Sequence, residues 1–282
     1  MTSVADRFGL RESTLWRCVQ RVTNALTNIA HHIIAWPTRA CRREISAAFE
    51  AVAGLPNVIG AIDGASVQIK APSVDREVYV TRKFFTAYTV QGISDSNLKF
   101  IDIYTGWPGS VSDTRIFRNL PIYHDVMANR AEFFDDNEYI LGDKAYPVLD
   151  WCIPPFINRG NLTEHQTRFN TAHARQRAVI ERAWALLFGR FRRLKFLDMT
   201  RENLISSTIL ACCVLYNICL DHQEVQLFEY ENEGHLFMIG NENDQERERV
   251  ELNLNATQIR GLQRQNELCH LIHARHVAQH QN

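Results

Sequence analysis

The 282-residue sequence has no Cys-x-x-Cys pair, almost no net charge, and no unbroken apolar run of the about 18 residues that a membrane span needs. Each absence excludes something. The seven cysteines (Cys18, Cys41, Cys152, Cys212, Cys213, Cys219 and Cys269) are odd in number, and three lie in one apolar, helix-like stretch. That pattern describes reduced, mostly buried thiols in an intracellular chain, not a disulfide frame or a zinc site. Residues 1–30 also lack the layout of a signal peptide, so secretion and membrane insertion are both disfavoured. What is present is ordinary: 45% apolar and 22% charged residues, in a chain long enough to bury a core without staples.

The charge balance of 31 Lys+Arg against 32 Asp+Glu gives a net −1, which taken whole argues against general attraction to nucleic acid. Along the chain it is uneven. From Arg159 to Arg201, ten basic side chains stand against three acidic, a local +7. From Asp221 to Glu251, ten acidic stand against two basic, a local −8.

Punctuation divides the chain into four parts. Residues 1–36 read as two helices about Gly9, the second capped by Ser13 or Thr14, with Leu15, Cys18, Val19 and Val22 on one face and Arg17 and Arg21 on the other. The spacing is that of a partial helix-turn-helix. Residues 37–56 form a connecting helix opened by Pro37 and closed by Gly54. Residues 57–220 hold strands over Asn57–Lys70, Phe84–Ile93 and Leu98–Tyr104, a helix over Asp113–Leu120, a strand over Asn137–Gly142, and helices over Thr171–Phe196 and Asn203–Leu220. Residues 221–282 are an acidic, weakly patterned linker and a terminal helix over Ala256–His276. The order predicts an α/β fold with a mixed sheet.

Four carboxylates stand where a carboxylate is locally awkward. Asp63 interrupts the apolar strand Gly60-Ala61-Ile62-Asp63-Gly64, and Asp113 opens a helix after Gly109-Ser110-Val111-Ser112. Asp143 ends a strand in Leu141-Gly142-Asp143, and Glu181 lies in a helix beside Val179-Ile180. Singly, Asp113 reads equally as a helix cap, Asp143 as a turn residue and Glu181 as the partner of Arg177 or Arg182. Together they point to hard divalent cations, Mg²⁺ or Mn²⁺, because gathered carboxylates without cations repel one another. Such ions promote in-line phosphodiester hydrolysis.

With their surroundings these acids resemble the DDE endonuclease of Harbinger-type transposases, the domesticated nuclease branch of animals in particular. The supporting text is Val58-Ile59-Gly60-Ala61-Ile62-Asp63, Ile69-Lys70-Ala71-Pro72, Tyr79-Val80-Thr81-Arg82-Lys83 and Thr105-Gly106-Trp107-Pro108-Gly109-Ser110-Val111-Ser112-Asp113. It continues through Leu141-Gly142-Asp143, Phe169-Asn170-x-x-His173-x-x-x-Arg177-x-x-Ile180-Glu181-Arg182 and Ala211-Cys212-Cys213-Val214-Leu215-Tyr216-Asn217. The resemblance implies an RNase H-like domain with Asp63, Asp143 and Glu181 as the catalytic triad and Asp113 as a fourth metal ligand. The ranking of Asp113 against Asp143 stays open. The chain departs from the family pattern at Ser66, Thr81 and Tyr216, none of them a proposed ligand.

The resemblance further implies a metal-dependent DNA endonuclease with a separately encoded Myb-like DNA-binding partner that carries it into the nucleus, leaving a cytoplasmic pool. A homo-oligomer is compatible with it. The rival reading is a domesticated DNA-binding or scaffold protein that no longer cuts. Candidate DNA contacts are Arg17, Arg21, Arg82, Lys83, Lys144, Arg177 and Arg182. The −8 segment reads first as a solvated linker and second as a mask over the basic face.

Overall fold

A computed structural model describes residues 2–199, 201–222, 227–239 and 255–280. At the N-terminus lie α1 (Thr2–Arg7), α2 (Glu12–Asn28), α3 (Ala30–Ile33) and α4 (Arg39–Ala53). Three strands follow, β1 (Val58–Gln68), β2 (Ala87–Ser94) and β3 (Phe100–Pro108), then α5 (Asp113–Arg118), α6 (Pro121–Ala128) and α7 (Arg130–Phe133). Next come β4 (Tyr139–Leu141), β5 (Cys152–Ile153), α8 (Glu164–Arg190), α9 (Glu202–Asp221), α10 (Leu227–Ile239) and α11 (Ala256–His280).

The five strands form one mixed sheet in the order β3-β2-β1-β4-β5. β1–β2 and β2–β3 are antiparallel, whereas β4 runs parallel to β1 and β5 parallel to β4. Along β1 apolar residues go alternately to the two faces, with a shift of register at the irregularity between Val58 and Gly60. Ala61, Ala65 and Val67 join one core with α4, α8, α9 and α11, through Phe49, Trp184, Ile209 and Ile272. Ile59 and Ile62 join a second core with Phe117, Val126, Tyr146 and Trp151 on the α5–α6 side. The site residues therefore hang from a sheet covered on both faces.

α8 is longer at its start than the pattern predicts. Thr163 accepts from the Gln166 N–H while the Gln166 side chain accepts from the Thr163 N–H, a capping box that starts the helix at Glu164. α9 is long and apolar enough to cross a membrane by length and composition. Here it is a core helix, with Ile205, Ile209, Cys213 and Val214 buried and Asn217 donating to the Phe100 and Ile33 carbonyls.

Three expectations need correcting. Ser13 and Thr14 lie inside α2, whose first flanking residue is Arg11 without a side-chain cap. The face bearing Cys18, Val19 and Val22 is exposed, and α2 packs on α9 along the side that buries Thr23. Periodicity shows that a helix has an apolar face but not which face a partner covers. Finally, the acidic segment is helical over Leu227–Ile239 and lies along α8, so the linker reading fails there. Its remainder at 223–226 and 240–254 lies outside the described residues.

Candidate active site

Asp63 sits mid-way along β1, on the face it shares with Ala61, Ala65 and Val67. That face is covered by α8, and the guanidinium of Arg177 reaches it, with Nη1 3.7 Å from Asp63 Oδ2. One turn further along α8, Glu181 accepts a hydrogen bond from Arg177 Nη2. Arg177 therefore lies between two of the four acids. Asp63 and Arg177 are only 22% and 20% exposed, while Glu181 is 41% exposed.

The other two acids come from loops at the ends of β3 and β4. Asp113 is the first residue of α5, whose cap is Ser112, accepting from the Arg115 N–H. Asp143 follows β4, and its Oδ1 accepts from the Ala145 N–H at 2.8 Å. Thr114 donates to the Ala145 carbonyl at 2.6 Å and so ties the two loops together. A Cβ added to Gly64 would lie 2.7 Å from Asp113 Oδ1, so any side chain there would push the Asp113 carboxylate aside. Asp113 thus lies against the opposite face of β1 from Asp63.

Electrostatics joins the four. Burial pushes the Asp63 carboxyl up to about 7; Arg177 opposes the rise, and Asp143 and Asp113 add to it. Asp143 is raised too, mainly by burial, against the Ala145 N–H and Arg177. Burial disfavours the charge on Arg177, yet Asp63, Glu181 and Asp143 outweigh it and hold that pKa above its ordinary value. The buried phenol of Tyr146 is raised by burial and then by Asp113, Asp63 and Asp143. One guanidinium thus faces three carboxylates, with Asp113 on the flank.

This donor set is all oxygen and carries more negative charge than Arg177 can offset, which fits a hard divalent cation. Among the described residues, no three His, Cys, Asp or Glu side chains already converge on one point.

The profile of the family described as DDE superfamily endonuclease matches residues 62–217, from the strand of Asp63 to Asn217. The chain belongs to that family. The chain is 29% identical over 239 residues to protein ALP1-like of Arabidopsis thaliana, covering 80% of the chain and 58% of that protein. It is 32% identical over 226 residues to HARBI1 of Mus musculus, named as a candidate nuclease, and 31% identical to its Homo sapiens counterpart. Each of those matches covers 78% of the chain and 63% of the relative. These relatives are domesticated, Harbinger-derived proteins. The chain spans about three fifths of the length of the curated relatives it matches. No solved structure matches it.

The remaining candidates are dispersed. Arg17 and Arg21 are exposed on α2, far along the chain from the acids. Lys144 adjoins Asp143 and lowers its carboxyl pKa in part. Arg82 and Lys83 are exposed on the hairpin before β2. Arg182 is taken up by Glu231 of α10, at 2.7 and 3.2 Å. Arg192 and Lys195 are likewise paired with Glu233. α10 therefore offsets part of the +7 block, at a crossing so close that a Cβ on Gly189 would strike the Tyr230 carbonyl and one on Gly234 the Ala185 carbonyl.

His173 is a structural residue. Its buried Nε2 bonds the Ile153 carbonyl at 3.0 Å, and burial lowers its pKa to about 4, which keeps it neutral. Sequence reading missed Tyr146 and Gly64 as site neighbours. Tyr146 follows Asp143 by three residues and Gly64 follows Asp63 directly, which is their only sequence signal.

Proposed function

We propose that this chain is a divalent-metal-dependent DNA endonuclease, descended from a transposase and built on an RNase H-like domain. The observation that carries the reading is the excess of carboxylate over cation at Asp63, Asp143 and Glu181, gathered from β1, the β4 loop and α8. Asp63, Asp143 and Glu181 would hold the cation, Mg²⁺ or Mn²⁺, with Asp113 supporting from the far side of β1. A bound cation supplies charge neutralisation and polarisation of the phosphodiester. The chain's own groups do the rest. Burial of Asp63 excludes water from one side, Arg177 holds Asp63 and Glu181 in register, and Lys144, next to Asp143 in the chain, would take a phosphate. Water attacks phosphorus and the bond to the 3′ oxygen breaks, leaving a 3′-hydroxyl and a 5′-phosphate.

The deciding experiment is nicking of supercoiled DNA with Mg²⁺ by the wild type and by Asp63→Ala. Wild type should nick, and Asp63→Ala should fall by at least about a hundredfold, the scale of one removed charge-stabilising group. Equal rates in the two would sink the nuclease and leave a DNA-binding or scaffold role. Gly64→Ala tests Asp113 separately. The added methyl displaces the Asp113 carboxylate, so nicking should drop about tenfold with little change in melting. The double variant with Asp113→Ala should then be no slower than Asp113→Ala alone; additive losses would remove Asp113 from the site.

The same reading includes a separately encoded Myb-like DNA-binding partner, action in the nucleus and a cytoplasmic pool. The near-neutral charge and the paired state of Arg182, Arg192 and Lys195 support dependence on such help. Weak plasmid binding by the chain alone, tightened by the partner, is the expected result. Tight binding without a partner would count against it.

A further inference from the structure

The loop that leads into β2 displays the most exposed large apolar side chain among the described residues. Phe84 is 91% exposed, and its backbone is left-handed, at φ +62°. The Phe84 N–H donates to the Thr81 carbonyl at 3.0 Å, the Thr81 N–H donates to the Phe85 carbonyl at 2.8 Å, and Val80 bridges Thr86. This is a three-residue hairpin loop, Arg82-Lys83-Phe84, whose left-handed third position ordinarily takes glycine. A bulky residue there strains the backbone, and an exposed ring does nothing for the core. Folding alone gives no reason for phenylalanine. Arg82 and Lys83 beside it are exposed and form no ion pair among the described residues.

The base of this loop is fastened to the segment that carries Asp113. The Gly109 N–H donates to the Ala87 carbonyl at 2.8 Å and the Ser110 N–H to the Val78 carbonyl at 3.3 Å. A Cβ on Gly109 would lie 2.9 Å from Thr81 Cγ2 and from the Tyr79 carbonyl oxygen, so strand end and hairpin are in direct contact. From Gly109 to Asp113 is four residues and from Thr81 to Phe84 three. At about 3.5 Å each, with about 7 Å more for the Gly109–Thr81 contact, the backbone of the tip lies no more than about 32 Å from Asp113. That is less than one duplex turn of about 34 Å.

We propose that the Arg82-Lys83-Phe84 tip is a DNA wedge. Phe84 stacks on a base exposed in unpaired or distorted DNA near the cleaved phosphodiester, and Arg82 and Lys83 take the phosphates on either side. The location rests on the nuclease reading above; the tip's chemistry does not. Stacking on an aromatic ring tolerates any base, and flanking cations follow the backbone. A protein surface would also accept an exposed aromatic, but two adjacent cations without an ion pair among the described residues favour a polyanion.

The test uses the full chain in EDTA, so that nothing is cut, with two probes: a blunt duplex and a forked duplex carrying fluorescent aminopurine at the junction. Wild type should bind the fork about tenfold tighter than the duplex and quench the aminopurine, as one stacked base requires. Phe84→Ala should erase both effects, whereas Phe84→Trp should keep them. Phe84→Gly, which relieves the left-handed strain, should melt higher yet still lose the fork preference, separating this loss from misfolding. Arg82→Ala with Lys83→Ala should weaken both probes alike and shallow the salt dependence. Fork preference and quenching retained in Phe84→Ala would overturn the proposal. So would a Phe84→Ala effect confined to the molecular mass in solution, which would make the tip a contact between protein chains. Nicking by wild type in Mg²⁺ is scored separately. Its absence sinks the nuclease while Phe84-dependent binding stands, and its presence with unaltered Phe84→Ala binding sinks the wedge alone.

Discussion

Asp63→Asn should make the metal-free protein more stable at pH 8 while it removes cutting. Burial raises the Asp63 carboxyl from 3.8 to about 7 in the fold, so the folded state holds its proton more tightly than the unfolded chain. A raised pKa stabilises the fold below the unfolded value, and that contribution disappears as pH rises through the folded value. Between about pH 4 and pH 7 the wild type should therefore lose up to about 4 kcal/mol through this one group, at 1.36 kcal/mol per pH unit. Asn has the same shape and no proton to lose, so the variant should gain by that difference at pH 8 and by nothing below pH 4. Asp102, which burial also raises, remains in both proteins and cancels from the comparison; Asp143 repels Asp63, so the substitution eases its charge as well and adds in the same direction. Urea unfolding across this range measures the difference. A variant no more stable than wild type at pH 8 would mean that Asp63 is ionised without cost and that the acidic centre is not strained. Mn²⁺ should raise the wild-type melting temperature and leave Asp63→Asn nearly unmoved, since the cation draws on the same unfavourable carboxylate.

Much of the centre of the fold was legible because its signals are local. β1 to β3 are runs of 8 to 11 residues rich in apolar and β-branched side chains, and Asp63 stands out because it breaks an apolar run. β2 starts three residues later than the predicted Phe84, because that residue belongs to the loop. β5, only Cys152–Ile153, was not legible; it is a strand because Ile140 and Leu141 pair with it. α10 was missed for the same reason. Its composition is acidic and unpatterned, and its place is set by contacts of Glu231 and Glu233 with Arg182, Arg192 and Lys195, 38 to 49 positions earlier. The charge blocks were visible as separate numbers; their contact was not. Arg177 is the most instructive residue. Its four-residue spacing from Glu181 suggests an ion pair, but nothing local indicates that it also faces Asp63 across the core.

That position makes Arg177→Gln the sharpest probe of the centre. In the metal-free protein the guanidinium is the cation that Asp63, Asp143 and Glu181 share. Removing one partner of a buried ion pair leaves uncompensated charge and costs about 3–5 kcal/mol. Here about 2–4 kcal/mol at pH 8 is expected, less than the full figure because Glu181 is 41% exposed. At pH 5 the cost should be smaller, because the raised carboxyls of Asp63 and Asp143 take up protons in place of the lost cation. Mg²⁺ or Mn²⁺ should then return the lost stability, and the melting shift they produce should exceed that of the wild type, where a cation must compete with Arg177. Arg177→Lys should lie between the two, since a point charge cannot bridge two carboxylates as a planar fork does. If Arg177 served instead to bind DNA phosphate, Arg177→Gln would leave stability and the metal shift unchanged and lower only DNA affinity. The two roles separate because a counter-cation acts before any substrate arrives, and its removal is felt in the free protein.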